Sequence, residues 1–249
     1  MHFPINIPFG QSVVPLHFIC ETLAYAIGYR YYTYLKNKNH DVISDGNRII
    51  IFIGAALGGF LGSHIIGILE NPQLLNKMNI VYFMGNTTVI GGLLGGLIGV
   101  ELMKRRIGVS TSSGDLMVYP LILAMIIGRA GCFMAGLEDG TYGIPTTLPW
   151  AINFGDGIPR HPTNLYEILF WMILWVTLKE IDNKKQFADG AKFKLFMVSY
   201  LSFRFCIEFI KPAYFFNFGL SVLQLTALAG LIYYYKVFFY PSKTFKFYA

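Results

Sequence analysis

Three arginines, Arg30, Arg129 and Arg204, stand inside long apolar stretches of this 249-residue chain, where an unpaired charge costs at least about 2.5 kcal/mol. Their depth separates them. Arg30 falls at the inner end of the first stretch, where its long side chain can reach the aqueous phase. Arg129 follows Asp115 by 14 residues and Arg204 follows Lys192 by 12, which is roughly 21 Å and 18 Å along a helix. Glu21, Glu167 and Glu208 reach a similar level, and His161 sits at the mouth of the stretch that holds Glu167. Two guanidiniums facing the interior of a bundle can hold a lipid phosphate, because each planar fork takes two oxygens and never loses its charge. The alternative is ordinary ion pairing: Arg204 with Glu208, four residues on and so on the same helix face, and Arg129 with Glu21 or Glu167. His161 has two readings as well. An imidazole near a watery interface suits general acid/base work, while the dipeptide His161-Pro162 also reads as a loop-to-helix start in which His161 is a cap.

The elements that must position these residues follow from composition. The chain is 54% hydrophobic and only 14% charged, against about a quarter charged in an ordinary soluble domain, so an all-α polytopic membrane protein is expected. At about 20 apolar residues per span, the runs near 13–33, 48–69, 81–103, 115–137, 163–179, 192–211 and 217–239 predict seven transmembrane helices in one membrane domain, 1–249. Placing the N-terminus outside puts 14 of the 20 basic residues in the cytoplasm, from Lys36, Lys38 and Arg48 through Lys104–Arg106, Lys179, Lys184, Lys185, Lys192 and Lys194 to Lys236, Lys243 and Lys246. Only Lys77, Arg160 and Lys211 remain outside. This is the positive-inside asymmetry, and it sets the C-terminus in the cytoplasm and the polar residues toward the outer leaflet. The segment 1–10 has no basic residue and does not read as a cleaved signal peptide, so the first span is expected to remain.

Glycines spaced by four in the second and third spans, Gly54, Gly58, Gly62 and Gly91, Gly95, Gly99, predict faces on which backbones approach closely in lipid. Residues 136–150 are rich in turn formers and aromatics and read as an ordered outer loop with Trp150 at headgroup level. Residues 182–190 read as a short solvated connection. Cys20, Cys132 and Cys206 are too few and scattered for a disulfide framework or a zinc site and are expected to be buried small hydrophobes. No P-loop, dinucleotide fingerprint or metal-ligand cluster is visible, so neither cofactor nor metal is expected. No basic patch alternates with exposed aromatics, which argues against a nucleic-acid partner.

Three segments carry a resemblance: Gly128-Arg129-Ala-Gly131-Cys-Phe133, Arg160-His161-Pro162-Thr163-Asn164-Leu165-Tyr166-Glu167, and Arg204-Phe-Cys-Ile-Glu208-Phe-Ile-Lys211-Pro212. In order and topology they resemble the prolipoprotein diacylglyceryl transferases of bacteria. The resemblance implies a seven-span enzyme of the cytoplasmic (inner) membrane that moves the diacylglyceryl group of phosphatidylglycerol to the cysteine thiol of a lipoprotein signal peptide, releasing glycerol phosphate. It implies catalytic roles for Arg129 and Arg204, and marks Gly128, Gly131, Asn164, Tyr166 and Glu208 as candidate substrate-binding positions, to which depth alone adds Glu21. The chain departs from the family's pattern at Ile90, where a histidine is usual, at Cys132 and Asn164, and around His17–Glu21. His161 or Glu167 is then the best remaining base. The alternatives are a related phospholipid-group transferase with another acceptor, and a non-enzymatic protein that binds or translocates phospholipid.

Overall fold

The computed structural model describes residues 3–9, 12–39, 41–73, 79–184 and 187–239. Lys77, Lys185, Lys243 and Lys246, all used in the charge asymmetry, lie outside these residues, as does part of the 1–10 segment. A hairpin of β1 (Asn6–Phe9) and β2 (Ser12–Pro15) leads into α1 (Leu16–Lys38). Then follow α2 (Asp45–Leu69), a short α3 (Ile80–Gly85), α4 (Val89–Ile107), α5 (Val118–Ala135), a second hairpin of β3 (Ile152–Asn153) and β4 (Pro159–Arg160), α6 (Thr163–Lys184), α7 (Ala191–Ile207), α8 (Val222–Tyr233) and α9 (Tyr235–Phe239). The chain is mostly helical, as expected. Two helical stretches, Asp45–Leu69 and Asp115–Asp139, are long and apolar enough by themselves to cross a membrane.

The surface is turned inside out. Tyr25, Ile49, Leu57, Ile98, Leu169 and Ile232 are all exposed, on five different helices, a distribution that in water would mark an aggregation hazard and that hydrocarbon covers. Beneath it, Trp171 stacks on Phe196 and Tyr200 with ring centroids 5.5 and 5.1 Å apart, and Ile122, Leu178, Met197, Leu201 and Leu223 close a core between α5, α6, α7 and α8.

The glycine faces pack as their spacing predicts. A Cβ on Gly58 would stand 2.2 Å from the Gly95 carbonyl oxygen, and one on Gly62 2.3 Å from that of Gly91, so α2 and α4 touch backbone to backbone. The expected continuous third span is instead broken between α3 and α4. Gly67 accounts for this: its α-carbon lies so close to Asn86 that a Cβ would meet the Asn86 oxygen at 2.4 Å. Asn86 is extended there, and Thr88 restarts the helix by accepting from the Gly91 N–H with its hydroxyl. The last span is shorter than expected. α8 begins only at Val222, behind a capping box of Ser221 and Gln224.

One end of the bundle gathers the basic residues. Arg48, buried, is ion-paired with Asp41 and donates to the Ser113 carbonyl at 3.0 Å. Burial alone would raise the Asp41 carboxyl, but the hydrogen bonds from Arg48 outweigh it and hold the group below the ordinary aspartate range. The 182–190 connection begins inside a helix, since α6 runs on to Lys184. Asp182 lies within α6, accepts from the Tyr119 hydroxyl at 2.6 Å and pairs with Lys192 at 2.7 Å, and Asp189 accepts from the Ser112 N–H at 2.7 Å. These contacts fasten the two sides of the connection, while Asn183, Lys184 and Asp189 remain exposed as a solvated connection requires. Cys20 is buried as expected, while Cys206 is exposed on α7.

Candidate active site

At the opposite end, five charged side chains from three segments meet. Glu167, one turn into α6 and 1% exposed, is their centre. Arg129 of α5 pairs with it through Nε at 2.5 Å, Lys211 donates to it through Nζ at 2.8 Å, and Arg204 of α7 approaches its other side at 3.9 Å. Arg204 also pairs with Glu208 at 2.9 Å. Of the two partners open to Arg129, the fold selects Glu167. Glu21 lies half exposed on α1, 4.0 Å from His17, and lines a cleft with Arg129 instead of pairing with it.

Each charge is held by ordinary local structure. Arg204 and Glu208 are one helical turn apart, where α7 tightens into a 3-10 turn over Glu208–Ile210. The Ser221 hydroxyl donates to Glu208 at 3.2 Å, and Gln224 ties Ser221 back to the Phe205 carbonyl. Glu167 is placed by the start of α6, where the Thr163 hydroxyl donates to the Thr141 carbonyl at 2.7 Å and Thr141 reaches the Asn164 side-chain oxygen at 2.9 Å.

The cluster's own bonds do not use it up. Arg129, Arg204 and Lys211 face Glu167 and Glu208, and Glu70, just past α2, is close enough to interact with Arg204, Lys211 and Glu208. Arg204 Nη1, the Asn164 amide nitrogen and the Tyr200 hydroxyl are buried with no hydrogen-bond partner among the described residues. Buried donors are normally satisfied, so unsatisfied donors beside two fixed guanidiniums are a place where an anion can enter. Next to it a cleft of ≈ 430 Å³ runs between α1 and α5 from His17, Glu21, Gly128, Arg129 and Cys132 down to Tyr32 and Phe52. Its walls are largely aliphatic and aromatic side chains, suited to an acyl chain whose headgroup meets the arginines.

Not every expected residue joins this arrangement. His161 is fastened by its backbone to Gly143 and Ile144, and its Nδ1 lies 3.3 Å from the Tyr166 hydroxyl, which accepts from Trp150 Nε1 at 2.7 Å. The three form a polar contact of the outer loop, and among the described residues no bond joins them to the arginine cluster. Nor is His161 the cap of α6: the first helical bond, from the Tyr166 N–H at 3.2 Å, ends on the Pro162 carbonyl. Gly131 serves the approach of α1, since a Cβ there would meet the Cys20 Cβ at 2.7 Å, whereas Gly128 has open space. Lys211 was missed. Counting it as an outer-loop charge ignored that a lysine just past a helix end can fold back onto a buried carboxylate; the proline that follows it, ending the helix there, is the signal that could have shown it. The fold also joins His17, Cys132 and Asp139, whose polar atoms lie within 4.8 Å of one another. Separation in sequence hid this group, and the expectation of no metal-ligand cluster is corrected to that extent.

Comparison with known proteins bears on this geometry. The family model described as prolipoprotein diacylglyceryl transferase matches residues 4–240. A protein of Bordetella bronchiseptica named phosphatidylglycerol–prolipoprotein diacylglyceryl transferase is 34% identical over 206 residues, 79% of this chain and 76% of its own length. Proteins of the same name from Nitratidesulfovibrio vulgaris and Vibrio parahaemolyticus are 33% and 28% identical, over 84% and 85% of this chain and 82% and 80% of their own. A match over nearly the whole length, containing the arginine cluster and the cleft beside it, leaves one assignment: the chain belongs to the prolipoprotein diacylglyceryl transferase family.

Proposed function

We propose that this protein transfers the diacylglyceryl group of phosphatidylglycerol to the cysteine thiol of a lipoprotein signal peptide. The observation that carries the reading is the buried cluster itself, in which two guanidiniums and unsatisfied donors stand at the head of an apolar cleft. The acyl chains lie in the cleft and the phosphate displaces part of the internal pairing, taking Arg204 Nη1, which makes no hydrogen bond of its own, and the cleft side of Arg129. The acceptor thiolate attacks C3 of the glyceryl group; the C3–O bond breaks and its electron pair leaves with glycerol phosphate. Charge grows on that phosphate in the transition state, where two fixed guanidiniums in a water-poor site stabilise it strongly. Glu208 and Glu167 position the arginines. Gly128 leaves room for the donor, and Asn164 offers its amide nitrogen to it.

The chain forms a single membrane domain, 1–249, with seven spans, the N-terminus outside, and the basic end of the bundle in the cytoplasm of a bacterial inner membrane. The active site then opens to the outer leaflet, where a secreted signal peptide arrives. The exposed apolar belt and the gathering of Arg48, Lys104 and Lys192 at one end support this arrangement. The experiment is mass spectrometry of products from purified protein in phosphatidylglycerol vesicles, with and without a lipobox peptide. Peptide-dependent glycerol phosphate and a diacylglyceryl thioether are expected. Glycerol phosphate without a thioether would point to another acceptor, and retention of lipid without turnover to a binding protein.

A further inference from the structure

On the α1 side of α5 the group of His17, Cys132 and Asp139 has a geometry the phosphate site does not explain. His17 Nε2 and Asp139 Oδ1 are 3.8 Å apart, too long for a hydrogen bond. It is close to the spacing of two ligands on one small cation, since bonds of about 2.0–2.3 Å to N, O and S put neighbouring ligands roughly 3.3–3.8 Å apart, and with all three atoms within 4.8 Å of one another an ion would draw the Cys132 sulfur in by at most about 1 Å. The surroundings are those of a metal site as well. The Thr141 hydroxyl lies against the Asp139 carboxylate and Arg129 Nη1 donates to the Cys132 sulfur at 3.8 Å, contacts that fix a ligand's orientation. Gly131 lets α1 come close enough for His17 to reach the group, a Cβ there standing 3.3 Å from the His17 oxygen.

One nitrogen, one sulfur and one carboxylate oxygen suit zinc; magnesium and calcium take oxygen. Three protein ligands with an open fourth position are the pattern of a catalytic zinc. The cleft beside the arginines touches two of the three ligands, His17 and Cys132. We propose that His17, Cys132 and Asp139 hold a zinc ion whose open position takes the acceptor thiol. The role, though not the site, rests on the thiol-modifying reading above. A thiol on zinc is deprotonated, and its proton passes to water. The zinc-bound sulfur then forms the C–S bond at glyceryl C3 while the C3–O pair departs to the phosphate held by Arg129 and Arg204. Nothing is oxidised or reduced, and the zinc stays divalent throughout. The ion thereby does the work of a base at the thiol, a task for which Glu167, with both oxygens against cations, is poorly placed.

The test uses the full-length protein in phosphatidylglycerol vesicles, stripped with chelator and reloaded with Co²⁺ as a spectroscopic probe. One Co²⁺ per chain is expected, with a sulfur-to-cobalt charge-transfer band in the near ultraviolet. Cys132→Ser should lose the band and Cys20→Ser keep it, with thermal unfolding confirming that both variants fold. His17→Ala and Asp139→Ala should each weaken Co²⁺ binding tenfold or more. A band that survives in Cys132→Ser, or no stoichiometric Co²⁺ in the parent, overturns the site. A lipobox peptide should change the visible cobalt spectrum while the same peptide with serine for cysteine should not; equal responses overturn the thiol role. If the site and the spectral response hold and no thioether forms with zinc restored, the transferase reading fails and the metal site stands.

Discussion

Glu167→Gln removes the anion that three cations share while keeping the side chain's size. In the parent, Arg129 and Lys211 stand 2.5 and 2.8 Å from its oxygens, Arg204 stands 3.9 Å away, and the group is 1% exposed. Breaking a buried pair by removing one partner costs about 3–5 kcal/mol, because the charge left behind has lost its hydration without compensation. Here Arg204 keeps Glu208 at 2.9 Å, so the loss falls on Arg129 and Lys211, and a destabilisation of about 3–5 kcal/mol is expected. The same reasoning predicts a sign reversal toward anions. A site with one carboxylate fewer is more positive by one charge, so phosphatidylglycerol should raise the unfolding temperature of Glu167→Gln more than that of the parent, while turnover falls because Arg129 is no longer positioned. The assay is thermal unfolding in neutral detergent with stepwise addition of phosphatidylglycerol or uncharged lipid. A variant within about 1 kcal/mol of the parent would show that Glu167 does not hold buried cations, and one stabilised equally by both lipids would show that the cluster is not a poised anion site.

Arg204→Lys keeps the charge but loses the planar fork, so turnover is expected to fall by at least tenfold with the fold intact; full activity at equal expression would remove Arg204 from the phosphate clamp. His161→Asn loses only a contact with the Tyr166 hydroxyl, and turnover from pH 6 to 8 should stay within about tenfold of the parent, where loss of a general acid or base costs about 10²–10⁴. Gly58→Ala places a Cβ 2.2 Å from the Gly95 oxygen with backbone on both sides; it should destabilise by about 1–3 kcal/mol or more in thermal unfolding, whereas Gly128→Ala, with open space around it, should fold normally and bind phosphatidylglycerol more weakly. Asp41, with its carboxyl held low by Arg48, contributes stability above the unfolded aspartate value of 3.8 and loses it as pH falls through the lower folded value. Asp41→Asn should therefore be less stable than the parent at neutral pH and approach it on acidification; a constant gap from pH 7 downward would separate the stability from this ion pair.

What the sequence made legible depended on whether a residue's partner lay on its own helix. The Arg204–Glu208 pair is a four-residue spacing, and the glycine faces are a four-residue repeat, so both could be read directly. The break between α3 and α4 could not, because it follows from the approach of Gly67 on another helix, and an apolar run carries no mark of where a neighbour's backbone will arrive. Lys211 and the His17, Cys132 and Asp139 group were hidden for the same reason. Depth along a helix placed Arg129 near Glu21 and Glu167 together, and only the packing of α5 against both α1 and α6 decided between them.

That decision also explains how the two halves of the site can be built at all. α5 lies between α1 and α6, and the residues of its last turns point to both. Arg129 faces Glu167 on α6, while Gly131 and Cys132, two and three residues on and so rotated around the helix, meet Cys20 and His17 on α1. A single short motif, Gly128-Arg129-Ala-Gly131-Cys132, thereby sets the distance between the groups that hold the donor's phosphate and those that face the cleft on the other side. Arg129 Nη1 reaches the Cys132 sulfur at 3.8 Å, so the guanidinium belongs to both. A change in how closely α1 approaches α5 would move the two sets of groups relative to each other without altering either. Substituting Gly131, where a Cβ meets Cys20 at 2.7 Å, is therefore expected to impair transfer far more than it impairs the ion pairing of Arg129 with Glu167.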